Sequence, residues 1–214
     1  MTQHDIELAL KLLEEAYPDA KPELHHSSPF ELLIATILSA QCTDKRVNLC
    51  TEVLFRDHNT AESIASMTEA ELTPYIKPCG LYKTKCANIL ATCRILVDEY
   101  GGNVPDSVDK LTKLPGVGRK TANVVVSNAF NIPAIAVDTH VARLSQRIGF
   151  ADTSDVAKIE KRLNDIIPRE NWSKAHHWLI FHGRRVCFAR NPACDVCTLT
   201  WVCKYYKETK ENVN

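Results

Sequence analysis

Four cysteines fall within seventeen residues near the end of the chain, as Cys187-x6-Cys194-x2-Cys197-x5-Cys203. Packing alone does not place four thiols so densely. Soft sulfur ligands at this spacing suit either zinc or an iron–sulfur cluster. Zinc sites more often draw on two separate Cys-x2-Cys pairs, whereas one compact loop here would wind around its contents, so a [4Fe-4S] cluster is the favoured occupant and zinc the alternative. With all four ligands supplied by protein, no iron would be left open to substrate, and the group is expected to shape the loop rather than to carry chemistry.

The chain holds nine cysteines in all. An odd number, with no secretion signal, argues against a disulfide framework. The five outside the terminal group, Cys42, Cys50, Cys79, Cys86 and Cys93, lie in helical patterns and are expected to be small buried hydrophobes. The opening MTQHDIELALKLLEEAY has apolar periodicity broken by acids, which reads as an amphipathic helix rather than a signal peptide or membrane span. The cytoplasm is the expected compartment.

Helix signals recur along the 214 residues. Ser28-Pro29-Phe30-Glu31 joins an N-cap serine, a proline at the first helical position and a capping-box glutamate ahead of an apolar run. Asn59 with Glu62 and Thr68 with Glu71 mark further starts; Thr84 to Tyr100, Asp155 to Ile167 and Trp172 to Arg185 are helical in pattern. The β-prone runs Val124–Val126 and Ile135–Val137 are short, and no sustained alternation appears. The expected fold is all-α with short loops.

Formal net charge is zero, which at first sight speaks against a nucleic-acid partner. The average hides a division: residues 1–31 carry seven acids against two bases, and residues 101–150 carry six bases against three acids. A polar molecule with one basic face is compatible with these counts, as are ordinary solvated helix faces.

Within the basic stretch lies Leu114-Pro115-Gly116-Val117-Gly118-Arg119-Lys120, between a short helix at about Ser107–Lys113 and a longer one at about Arg119–Phe130. Two glycines around one apolar residue permit a tight turn whose amides can approach an anion, with the positive end of the next helix behind them. A plain turn between helices would also explain Gly-x-Gly. Lys120 would sit in the first turn of that helix, where the dipole, and burial if present, disfavour the ammonium and free the amine for attack. Further on, Asp138 comes after the apolar approach Ile135-Ala136-Val137 and precedes an amphipathic helix, the position of an N-cap.

These strings resemble the helix-hairpin-helix DNA glycosylase superfamily in its iron–sulfur, endonuclease III branch. The resemblance runs from about Pro29 to Cys203 with the motifs in family order. It implies that Gly116, Val117, Gly118 and Arg119 grip the DNA backbone without reading sequence. It implies that Lys120 is the nucleophile and that Asp138, in Val-Asp-Thr-His-Val-x-Arg, assists it, with His140 and Arg143 in the same segment at DNA. Gln41, in Leu-Ser-Ala-Gln-Cys-Thr-Asp, and Leu81, in Gly-Leu-Tyr-Lys-Thr-Lys, match the residues that fill the space left by an extruded nucleotide. Taken singly they would pass for a polar helix end and a buried leucine. The cysteine spacing matches the family's cluster loop, where Arg184 and Arg190 would face phosphates; between the first two ligands this chain has the one base Arg190, fewer than the family tends to place there.

The resemblance further implies a helical barrel at about residues 21–131, a second domain of 1–20 with 132–214, and a DNA cleft between them. A monomer acting on damaged double-stranded DNA, removing oxidised pyrimidines and cutting the abasic site, is the expected activity, with no membrane partner. The alternatives are an adenine-type glycosylase that uses water, which Lys120 disfavours, and a non-catalytic DNA-binding module.

Overall fold

The computed structural model describes residues 1–211. In chain order its helices are α1 (Gln3–Ala16), α2 (Pro29–Leu38), α3 (Asp44–Asp57), α4 (Ala61–Ala65), α5 (Glu69–Ile76), α6 (Tyr82–Tyr100), α7 (Val108–Leu111), α8 (Arg119–Ala129), α9 (Thr139–Ile148), α10 (Val156–Ile166), α11 (Trp172–Arg185) and α12 (Lys204–Glu211). Single 3-10 turns at Lys77–Cys79 and Arg169–Asn171 complete the set. Among the described residues no strand forms, so the β-prone Val124–Val126 is absorbed into α8, and Ile135–Val137 is a buried, irregular approach to α9. None of the described helices is long and apolar enough to cross a membrane.

The chain divides into two compact units, Pro22–Ile132 and Met1–Lys21 with Pro133–Asn214. In the first, α2 is the central element. Residues Phe30 to Leu38 are all buried, and the two polar ones find local partners, Glu31 accepting from the Ser27 hydroxyl and Thr36 donating to the Leu32 carbonyl. It packs on α3, α6 and α8, while α6 also backs α4 and α5 and α7 leads into α8. In the second unit α11 packs on α1 and α9, and α9 touches α10 and α12. Leu13, Val141, Leu144, Ile159, Trp178 and Leu179 are central to its core.

Side-chain oxygens begin most of these helices. Ser28, Thr43, Thr68 and Asp155 each accept a backbone N–H of the first turn, and Thr68 with Glu71 closes a reciprocal capping box. The cap of α4 is Thr60 rather than the expected Asn59: its hydroxyl takes the Ser63 N–H at 3.2 Å, one residue later in a run of two capping-competent side chains. α6 starts at Tyr82, two residues before the expected Thr84, because Leu81 in the left-handed region turns the chain into the helix without any side-chain cap. The five scattered cysteines do not all behave as core: Cys50, Cys79, Cys86 and Cys93 are buried, but Cys42 is partly exposed in the turn after α2.

Candidate active site

The hairpin between α7 and α8 is anchored from beneath. Leu114 and Val117 are buried, and the Thr92 hydroxyl on α6 donates to the Pro115 carbonyl at 2.9 Å. Gly116 has φ +76°, and a Cβ there would lie 2.8 Å from Asn88 Nδ2, so both backbone conformation and space require glycine. Gly118 is the N-cap of α8, so the cap residue itself offers no side-chain acceptor. A helix start with a glycine cap and no acid in its first turn is suited to an anion, and Arg119 and Lys120 are its first two residues. Lys120 is exposed, so the burial considered for it from sequence is not observed within its unit.

Two residues of the same unit that are neither glycine nor asparagine take up left-handed backbone on the surface. Gln41 has φ +53° and Leu81 has φ +46°, and both are exposed. The other described positions of this kind, Asn131 and Asn191, are asparagines, which tolerate the region; glutamine and leucine do not favour it. Leu81 is 59% exposed rather than the buried leucine its residue type would suggest. Strain and exposed apolar surface at two turns are features more often retained for function than for stability.

In the second unit Asp138 caps α9, its Oδ1 accepting the His140 N–H at 2.9 Å and the Val141 N–H at 2.8 Å. Both capping bonds go to one oxygen, leaving Oδ2 outside the cap. Arg143 turns inward: its guanidinium donates to the Gly183 carbonyl at 2.9 Å and the Cys187 carbonyl at 3.0 Å, and Nη2 lies 3.1 Å from His140 Nδ1. It therefore ties α9 to the end of α11 and to the first cysteine of the loop. Arg184 and Arg190 are exposed.

Cys187, Cys194, Cys197 and Cys203 line a single cavity together with Arg147 and His182. Burial, with the neighbouring thiols, pushes Cys197 up to about 11, and burial raises Cys194 and Cys203 as well. Among the described residues no group of three or more His, Cys, Asp or Glu converges as the ligands of one metal ion.

Sequence reasoning does not single out Arg147 or His182. Arg147 donates to the carbonyls of Phe188 at 2.7 Å and Ala189 at 2.9 Å, reaches Cys187 Sγ at 3.4 Å, and stacks 4.8 Å from the Tyr205 ring centroid. His182 Nε2 is 3.4 Å from Cys197 Sγ, and burial lowers His182 to about 4, keeping it neutral near pH 7.

Residues 34–169 match the model of the HhH-GPD superfamily base excision DNA repair proteins. Endonuclease III of Bacillus subtilis (strain 168) is 48% identical over 200 residues, 93% of this chain and 91% of that protein. The structure of a non-covalent endonuclease III–DNA complex superposes with a TM-score of 0.93 at 48% identity, covering 99% of each chain. That of a trapped endonuclease III–DNA covalent intermediate also gives 0.93 at 48% identity, over 98% of this chain and 99% of the other. The chain belongs to the endonuclease III family of the HhH-GPD superfamily.

Proposed function

We propose that the protein is a bifunctional DNA glycosylase and abasic-site lyase that removes oxidised pyrimidines from duplex DNA in base excision repair. The observation that carries this reading is the start of α8: a buttressed Gly-Val-Gly turn and a glycine-capped helix N-terminus bearing Lys120 in its first turn. Backbone amides there bind a phosphate regardless of sequence, and the Lys120 amine is presented beside the bound strand.

Lys120 Nζ, as the free amine, attacks the deoxyribose C1′, and the damaged base departs with the electrons of the N-glycosidic bond. Ring opening then yields a Schiff base. Loss of a proton from C2′ and cleavage of the C3′–O bond eliminate the 3′ phosphate, and water releases the amine. Asp138, its carboxylate oriented by two helix amides, stabilises positive charge growing on the sugar or takes the proton of the nucleophile. Gln41 and Leu81 fill the space left by the extruded nucleotide, a role their exposed, left-handed backbone supports. Arg119, Arg184 and Arg190, with His140 and Arg143 behind Asp138, complete the contact with DNA.

Cys187, Cys194, Cys197 and Cys203 would hold a [4Fe-4S] cluster; four soft donors in one compact loop, lining one cavity, suit such a group. Such a cluster supplies a rigid, redox-capable centre with no ligand position free for substrate. The residues around it bind and order the loop.

Borohydride reduction during incubation with abasic DNA tests the reading. Wild-type protein should be trapped covalently, and Lys120→Gln should lose both trapping and strand nicking while retaining affinity for duplex. An untrapped wild type overturns the lyase assignment. Visible absorbance of the purified protein tests the cofactor, because a zinc–thiolate site is colourless.

A further inference from the structure

Lys85 lies in the first turns of α6 and is 4% exposed. Its ammonium does not reach solvent. It donates instead to the Leu38 carbonyl at 2.8 Å and the Cys79 carbonyl at 2.9 Å. Leu38 is the last residue of α2, and Cys79 is the last of the 3-10 turn. Each carbonyl stands at a helix C-terminal end, where the backbone dipole is negative and the carbonyls lack partners in the helix.

Both helix ends lead directly into strained surface turns. Three residues beyond Leu38 stands Gln41, and two beyond Cys79 stands Leu81, the two surface residues with left-handed backbone that are neither glycine nor asparagine. The backbone N–H of Lys85 also donates to the Leu81 carbonyl at 3.1 Å. One residue thus touches the roots of both turns. A buried ammonium is costly, and a methionine of similar length would fill the space without that cost, so packing does not account for a charge here.

We propose that Lys85 is a positioning residue for base extrusion: it sets the spacing between the Gln41 and Leu81 turns so that both can enter the duplex in one event. The proposal rests on reading Gln41 and Leu81 as the inserted residues. Lys85 itself touches no DNA; it acts through the carbonyls of Leu38 and Cys79. Without the ammonium, the two turns would find their places independently, and extrusion of a stacked, paired nucleotide would become the slow step. A nucleotide that is already unpaired costs less to extrude and would hide the defect.

The test is single-turnover base excision by Lys85→Met on the same oxidised pyrimidine, presented in a fully paired duplex and as an unpaired bulge. The expected loss is roughly tenfold or more on the paired site, since misplacement by about an ångström is enough to slow a reaction by such factors. On the bulge it should shrink to about twofold, and in a Gln41→Ala/Leu81→Ala background Lys85→Met should add almost nothing, because residues acting through one another are not additive. Equal losses on both substrates, or full additivity with the double substitution, would overturn the proposal. Should Lys85→Met not fold, Lys85→Gln, which keeps an N–H donor on a shorter arm, carries the same comparison. Borohydride trapping on a preformed abasic site separates the two levels: a wild type that neither traps nor excises refutes the proposed function, while a trapping wild type with an indifferent Lys85 variant refutes only this inference.

Discussion

The Tyr17 hydroxyl lies 2.9 Å from His182 Nδ1, and the other ring nitrogen, Nε2, lies 3.4 Å from Cys197 Sγ. A metal-bound thiolate has no proton and only accepts, so with the proposed cluster bound Nε2–H would donate to sulfur and the tyrosine hydroxyl would donate to Nδ1. Tyr17 is 8% exposed and His182 2%, so water does not replace a missing partner. Tyr17→Phe should therefore cost about 1–3 kcal/mol, the usual consequence of an orphaned buried acceptor. Chemical denaturation measures that loss, and decay of the visible absorbance under chelator measures its effect on the loop. A variant that keeps its colour as long as the wild type would show that this chain of hydrogen bonds does not secure the proposed cluster.

Asp138 combines a capping role with a proposed chemical one, and two substitutions separate them. Asp138→Asn retains an oxygen for the His140 and Val141 amides and should leave the melting temperature nearly unchanged. Asp138→Ala removes the cap and should cost about 1 kcal/mol of stability. Both should slow base excision by about a hundredfold or more if the carboxylate charge acts on the sugar or the nucleophile. Wild-type excision by Asp138→Asn would reduce Asp138 to a helix cap.

The two hairpin glycines should respond differently to alanine. At Gly116 the added methyl meets Asn88 at 2.8 Å on a backbone with φ +76°, so Gly116→Ala should destabilise the protein by about 1–3 kcal/mol. At Gly118 nothing lies within 4 Å of the new Cβ and φ is −85°, so Gly118→Ala should change stability by less than about 1 kcal/mol. Any fall in duplex affinity for Gly118→Ala then reports how closely phosphate approaches the turn. Unchanged affinity, measured by fluorescence anisotropy, would place the phosphate elsewhere.

The contrast between those glycines illustrates which features the amino-acid sequence makes legible. Local rules suffice where the cause is local. Ser28, Thr68 and Asp155 announce their helices because the capping oxygen and the amide it binds are three residues apart or fewer, and the cysteine spacing reports a shared void because all four lie in one short loop. Long-range causes leave no such mark. Nothing in the sequence announces that the guanidiniums of Arg143 and Arg147 reach carbonyls of Gly183, Cys187, Phe188 and Ala189, some forty residues away. Lys85 looks like any surface lysine until α2 and the 3-10 turn bring two carbonyls to it. The start of α6 escapes the capping rules for a different reason: Leu81 enters the helix by backbone conformation alone, which no side-chain signal announces.

Acid should weaken the fold through His177 on α11, which is 8% exposed and lowered by burial to about 4. The unfolded chain takes up this proton near the ordinary histidine value of about 6.5, whereas the folded protein resists it until about pH 4. Between those values the unfolded state binds more protons, so stability is complete above about pH 6.5 and falls as pH drops toward 4. A depression from 6.5 to about 4 corresponds to a loss on the order of 3 kcal/mol across that window. Urea denaturation at a series of pH values should show this slope in the wild type and a shallower one in His177→Gln, whose side chain does not titrate. Parallel slopes in the two proteins would mean that the histidine is solvated or ionised in the native state, contrary to its burial beside His176 in the core of the second unit.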